Sequence, residues 1–562
     1  MYVLPVIAAA LAVTLASTVG SSAAAGPPPL RARIVGTIIP GSGPEAAAPA
    51  APAGLPPKSQ QIKVLTAALA KMSKDYKNLP NSPGVADIDD YGIGALWRQG
   101  IDGAGTTIAV IEGWDLPGIG GIVAGYDKLL GLPNPQIQTI FPAGKLPATC
   151  PAGMVKLGSY GSCDAWGGEL ALDVLTAHVI APYAKILISA TPADTQITDD
   201  AASQVAPPEM MKALELISQK HLANVISISD GTGETTYSSG SAEIRAQDPG
   251  ELAAAVAGIP VLVATGDCGV VQNLAVANGQ CADTSGTPDT ATWDDSPWVT
   301  AVGGSVPNLG PTGKRLGPDP LWNVVGLFSP GAGFSSVYQR PAYQNGVVGV
   351  TGGPMRSVPD LTMDAQSGTS EAAPMLAGVL ALATQLNHGN VGPINPVLYE
   401  ALGPAGAKDG IADVVKGNNS LVRKGKPTIQ GFNAGRGFDV ASGWGTVYAP
   451  SFVPSLVAAT KAADRARSAR QQAQAELTGL ERASIQLTPV AGGNSYLLAG
   501  GFLPRHPVRL LIDGKLIATL TANSLGDVTF MISSSRLHLP AGRHPVTLGS
   551  MLINETASFS TT

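Results

Sequence analysis

Ser367-Gly-Thr-Ser370 runs into the apolar segment 375–386, and this step from a small-residue turn to a helix is where a hydroxyl can do chemistry. A serine delivered to a helix start faces backbone N–H groups and the positive helix end, which favour any oxyanion formed beside it. Acyl transfer needs that arrangement, with Ser370 as the nucleophile. Gly368 permits close backbone approach, and Pro374 is expected in the first helical turn, where its missing N–H costs nothing. Taken alone, the motif reads better as an N-cap before a buried helix, so the partners of Ser370 must be sought elsewhere.

Two carboxylates, Glu169 and Asp173, stand four residues apart in Trp166-Gly-Gly-Glu-Leu-Ala-Leu-Asp173. On a helix this spacing puts both on one face, where repulsion and a shared proton raise at least one pKa. A pair of this kind is usually a solvated face, but Leu170, Leu172 and Val174 around it point to partial burial. A third carboxylate, Asp267, follows the apolar run 261–264 and Gly266; by itself it reads as an Asx-turn cap. None of the six histidines (178, 221, 388, 506, 538, 544) lies in an H-G-T-H run, so the commonest base for a serine nucleophile is absent.

These residues need a scaffold, and the chain supplies an alternating one. Short β-rich runs at 106–111, 185–190, 224–228, 261–265 and 298–302 are separated by helical stretches at 168–180, 208–221 and 251–257. Apolar strands bounded by amphipathic helices imply an α/β fold, a doubly wound, mostly parallel sheet with helices on both faces. In such folds sites gather at the carboxyl ends of strands.

The 562 residues allow two or three domains. Only 14% are charged, the net charge is −6 and there is no basic block, which excludes nucleic acid as a partner. Residues 1–25 read as a secretory signal, with an apolar run at 4–16 and Ser-Ser-Ala-Ala-Ala-Gly at 21–26; no Lys or Arg precedes the run, and a short membrane anchor is the alternative. A secreted, extracellular protein is expected, associated with the cell surface in one version.

Residues 26–88 form a Pro/Ala-rich linker and short pro-segment, with a weak helical pattern at 61–76. The folded catalytic region spans 89–455, a polar helical linker 456–483, and a small all-β sandwich 484–562, its strands at 508–512, 516–521, 528–532 and 545–548. Cys150 and Cys163, like Cys268 and Cys281, are thirteen apart, so 150–163 and 268–281 are the preferred pairs among three connectivities. Neither pair has the C-x-x-C spacing of a zinc site.

Between about Asp90 and Pro450 the ordered motifs resemble the sedolisins, the serine-carboxyl peptidases (family S53). They are Glu169-x-x-x-Asp173, Gly266-Asp267-Cys268-Gly269, Ser296-Pro-Trp-Val-Thr-Ala-Val-Gly-Gly304, Gly333-Phe-Ser-Ser-Val-Tyr338, Val358-Pro-Asp360 and Ser367-Gly-Thr-Ser370. The resemblance implies a subtilisin-like catalytic domain that hydrolyses protein or peptide substrates. Ser370 would attack, Glu169 would act as general base, Asp173 would orient it, and Asp267 would serve the oxyanion hole. A carboxyl donates to an oxyanion only when protonated, so an optimum well below neutrality is expected.

A single structural calcium ion (Ca2+) is implied too. Asp413-Val414, then Gly431-Phe-Asn-Ala-Gly435-Arg-Gly437-Phe-Asp439, resembles the family's C-terminal loop, with Asp413 and Asp439 giving carboxylate oxygens and Val414, Gly435 and Gly437 giving carbonyls. Several features depart from the family pattern. The pro-region is short. Glu371 replaces a small residue and, if ionised, would disfavour the oxyanion. Cys268 stands in place of a serine, and Asp230 in place of an aromatic residue that lines the cleft. A monomer is expected, with the immunoglobulin-like β-module serving for attachment or spacing. The alternatives are a tripeptidyl exopeptidase of the same family and a catalytically silent binding or surface-display protein.

Overall fold

The computed structural model describes residues 39–40, 54–75, 85–151, 154, 162–192, 208–237, 239–272, 281, 286–310, 315–423 and 425–462, and most of 484–561. The expected signal segment, much of the Pro/Ala-rich stretch and residues 463–483 lie outside the described residues. Packing divides the chain into two compact units, Met1–Arg470 and Gln471–Thr562.

An eight-stranded sheet organises the first unit. Its strands are β1 (Ile39–Pro40), β2 (Thr107–Glu112), β3 (Ile137–Phe141), β4 (Lys185–Ala190), β5 (Val225–Ile228), β6 (Val261–Ala264), β7 (Thr300–Ser305) and, after an antiparallel pair β8 (Gly333–Gln339) and β9 (Met355–Val358), β10 (Leu361–Asp364). The order is β1-β3-β4-β2-β5-β6-β7-β10, and every neighbouring pair is parallel. The chain winds out from β2 in one direction and then the other, so its carboxyl end borders the crevice expected at a topological switch.

Burial on both faces explains the apolar strands. Along β2, Ile108 and Val110 enter one core while Ala109 and Ile111 enter the other. The first core takes α5 (Cys163–Ile180) and α8 (Thr369–Asn387); the second takes α6 (Pro208–Gln219) and α7 (Asp248–Ala257). Helices α5 and α8 approach closely at Gly378, where an added Cβ would come within 2.6 Å of the Ile180 Cβ.

Packing corrects two expected boundaries. Helix α1 (Lys58–Asp75) buries Leu65, Ala68, Leu69 and Met72 in the first core, so the packed unit takes in a segment well before Asp89. These residues keep helical spacing, a stripe that a largely polar sequence disguises. At the other end, helix α9 (Ala449–Ala462) buries Phe452, Val453, Leu456 and Val457 in the same core. The linker expected from 456 therefore starts later. Helices α2 (Val85–Asp90), α3 (Ile93–Trp97) and α4 (Ile119–Leu130) complete the elements used below.

The second unit holds two antiparallel sheets. Strands Ser484–Val490, Asn494–Gly500 and Val528–Ser533 form one, and Pro507–Ile512, Lys515–Thr521, Gly542–Gly549 and Asn554–Thr561 the other. Leu497, Val528 and Ile532 of the first share a core with Val508, Leu510, Val546 and Leu548 of the second. Among the described residues no helix is long and apolar enough to cross a membrane.

Candidate active site

Ser370 is the second residue of α8 and half-buried. Pro374 is the sixth residue of that helix, not part of its first turn as expected. The N–H it lacks would have bonded the carbonyl four residues back, which is that of Ser370. Ser229 takes its place: its Oγ donates to the Ser370 carbonyl at 3.3 Å. The residue after β5 thus anchors the nucleophile's backbone from the neighbouring strand end.

Helix α5 brings the acids. Ser162 caps it by accepting from the Ala165 N–H at 3.2 Å, and the Cys150–Cys163 disulfide ties down its first residue. Two turns in, Glu169 lies beside Ser370. Burial pushes its carboxyl up to about 7; the neighbouring Ser370 side chain opposes this and the nearby Asp267 adds to it.

One turn deeper, Asp173 is fully buried, its pKa raised by burial and then by Glu169. Neither of its oxygens accepts from an ordinary donor, although Ser229 and Glu112 lie against it. Glu112 and Asp173 are neighbouring buried carboxyls, and all four of their oxygens lack a hydrogen-bond partner. Glu112 ends β2, is fully buried, and is raised by burial and by Asp173 and Glu169. Sequence reading missed it. Its signal was a carboxylate closing the apolar strand Thr-Ile-Ala-Val-Ile-Glu at the end where sites gather.

Asp267 reaches the nucleophile turn from beyond β6. Its Oδ1 accepts from the Thr369 N–H at 2.8 Å and the Thr369 hydroxyl at 2.9 Å. Its Oδ2 lies against Gly368, where an added Cβ would stand 2.7 Å away; at φ 97° this backbone needs glycine for both space and conformation. Burial raises the Asp267 pKa, and the Thr369 bonds oppose the rise. The Cys268–Cys281 disulfide closes the loop behind it. Asp230, directly after Ser229, is also raised, by burial first and by Glu169.

Glu371 points away from the reacting groups. It is buried, its Oε2 accepts from the Ser367 N–H at 2.8 Å, and burial, then Asp364, push it up to about 8. In acid it is neutral, which removes the expected conflict with an oxyanion.

The predicted metal residues also converge. Gly437 N–H donates to Asp413 Oδ2 at 2.9 Å and Gly435 N–H to Asp439 Oδ2 at 2.8 Å. Asp413 Oδ1 is buried without a partner. Among the described residues the carbonyls of Val414, Gly435 and Gly437 accept no hydrogen bond from the backbone. Free oxygens of this kind fit a hard cation. Asp439 is more committed, since it also accepts from the Ala441 and Ser442 N–H groups and the Ser442 hydroxyl.

Residues 165–402 match the Subtilase family (peptidase S8). Kumamolisin from Bacillus sp. (strain MN-32) is 28% identical over 380 residues, covering 62% of this chain and 59% of that protein. Human Tripeptidyl-peptidase 1 is 27% identical over 281 residues, 44% of this chain and 46% of that protein. Sedolisin from Pseudomonas sp. (strain 101) is 27% identical over 253 residues, 40% of each. The chain thus spans less than two thirds of the length of these relatives. Among solved structures, Pseudomonas sedolisin, a serine-carboxyl proteinase, superposes with a TM-score of 0.51 at 24% identity, covering 64% of this chain and 94% of that one.

The fold is thus the one seen in Pseudomonas sedolisin, and residues 165–402 resemble the Subtilase family. In sequence the same region is similar to kumamolisin and to sedolisin.

Proposed function

We propose that the chain is a secreted, acid-acting serine-carboxyl endopeptidase. The observation that carries this reading is the gathering of acids at the nucleophile turn: Asp267 accepts from the Thr369 N–H directly before Ser370, and Glu169, raised by burial to about 7, lies beside Ser370. Ser370 Oγ attacks the scissile carbonyl while its proton passes to Glu169, and the oxyanion accepts from the protonated Oδ2 side of Asp267. As the tetrahedral intermediate collapses, the C–N bond breaks and Glu169 returns the proton to the leaving amine. Water then repeats the sequence on the acyl-enzyme. Asp173 and Glu112, sharing protons behind Glu169, orient it and spread its charge.

A calcium ion at the Asp413–Asp439 loop belongs to this reading: Asp413 Oδ1 and the carbonyls of Val414, Gly435 and Gly437 would hold it, fixing the loop without entering the chemistry. The two disulfides suit an oxidising, extracellular setting. The β-module is assigned an attachment or spacing role as an immunoglobulin-like element, and the chain is read as a monomer. A tripeptidyl exopeptidase is the second reading, favoured by the name of one relative.

The test is digestion of a denatured protein between about pH 3 and 7 by the processed chain, with Ser370→Ala and Glu169→Gln alongside. Both variants should lose activity by three orders of magnitude or so. Internal fragments support the endopeptidase and released tripeptides the exopeptidase. No cleavage at any pH by a folded, calcium-replete chain would leave a silent binding protein.

A further inference from the structure

Asp87, Asp364 and Glu371 converge from three elements: α2, the carboxyl end of β10 and the first turn of α8. All three are buried, and one oxygen from each lies within 4.8 Å of the other two. Calcium–oxygen bonds of about 2.3–2.6 Å give a ligand shell roughly 5 Å across, so a single ion can touch all three.

Two buried oxygens, one in the trio and one near it, have no hydrogen-bond partner. Asp87 Oδ1 is buried and has no hydrogen-bond partner. The Tyr91 hydroxyl, in a side chain with no exposure, is equally unpartnered and lies in the field of Asp319, Asp87, Asp90 and Asp364. No basic side chain compensates. Arg315 is committed to Asp90, at 2.8 Å through Nε and again through Nη2, and to Asp319 at 2.7 Å. Among the described residues no lysine, arginine or histidine pairs with Asp87, Asp364 or Glu371. Three acids gathered away from water without a cation must either take up protons or hold a metal.

We propose that Asp87, Asp364 and Glu371 form a binding site for a hard divalent cation, calcium by its oxygen-only donors, that ties α2 to the nucleophile turn. Glu371 also holds the Ser367 N–H, so the ion would brace the backbone three residues before Ser370. The site is separate from the Asp413–Asp439 loop and does not depend on the peptidase reading. The competing state is a proton-sharing trio, for which burial, with Asp364 as neighbour, already holds Glu371 at about 8.

The experiment is calcium titration of the chelator-stripped full chain at about pH 7, where ordinary carboxylates are ionised. Calorimetry and elemental analysis give the stoichiometry of wild type, Asp87→Asn/Glu371→Gln and Asp413→Asn/Asp439→Asn, each checked for folding by circular dichroism. The Asp87→Asn/Glu371→Gln chain is expected to bind one equivalent fewer than wild type, while Asp413→Asn/Asp439→Asn keeps that equivalent. Should the double variant fail to fold, Asp87→Asn alone decides, with an expected loss of roughly tenfold or more in affinity at one site. Equal stoichiometry and affinity in wild type and the Asp87 variants, or no binding by wild type, overturns the proposal and leaves the trio as a proton store.

Discussion

Asp267 carries the sharpest residue-level test, because its role depends on a proton. Its carboxyl has no other way to donate to an oxyanion, and burial raises its pKa toward the protonated form. Glu169, at about 7, must be ionised when Ser370 is attacking. The working form therefore has one proton on the Asp267–Glu169 pair, held on Asp267, and the rate should fall on the alkaline side as that proton is lost. Asp267→Asn supplies a permanent donor, so it should keep more of its activity above neutrality than wild type does. Asp267→Ala supplies none and should lose roughly 10²–10³-fold in kcat. A pH–rate profile unchanged by the asparagine would remove Asp267 from the oxyanion hole. Taken singly, Ser370 reads as an N-cap and Asp267 as an Asx-turn cap, and the four residues are legible together only through the order of their motifs. Glu112 is not, since a lone acid at the end of a strand shows its partner only when the strand order is known.

At the scale of the element, the nucleophile helix is the informative case. Proline in its second turn frees the Ser370 carbonyl, and the Ser229 hydroxyl satisfies it from another strand. Ser229→Ala leaves that carbonyl without its partner in a nearly closed site, which should cost about 1–2 kcal/mol of stability and loosen the serine backbone. Pro374→Ala restores an N–H four residues on, so adding it to Ser229→Ala should recover most of the loss in urea unfolding. If the double variant is no better than the single, the carbonyl is not what Ser229 serves. Sequence could place Pro374 near a helix start but could not count its turn, because the helix begins at Thr369 through contacts with Asp267 that are distant in the chain. Helix α1 posed the same difficulty: Leu65, Ala68, Leu69 and Met72 keep core spacing, yet what they pack on appears only once the sheet is assembled.

The molecule as a whole buries more acid than it pairs, and this sets its response to pH. Besides Glu112, Glu169 and Asp173, a second group lies beneath the β7–β8 region: Glu251, Asp294 and Asp295 are almost fully buried. Burial raises each of them first, and neighbouring charges, among them Asp248 for Glu251 and Glu234 for Asp295, add to the rise. Arg356, which lowers Glu251 and Asp294, is already paired with Asp360 at 2.8 Å. A group whose pKa is higher in the folded than in the unfolded chain gives stability that is complete below the unfolded value, about 4 for these acids, and is lost as pH rises through the folded value. For Glu169 that loss centres near 7. The first unit should therefore unfold at steadily lower temperature between about pH 5 and 8, the reverse of a protein held by ionised, salt-bridged acids. All seven tryptophans precede residue 445, so their fluorescence follows this unit without signal from the β-module. Glu169→Gln, which cannot ionise, should flatten part of the decline near neutrality. A midpoint that climbs with pH over this range would mean that the buried acids are paired with cations after all, bound metal included.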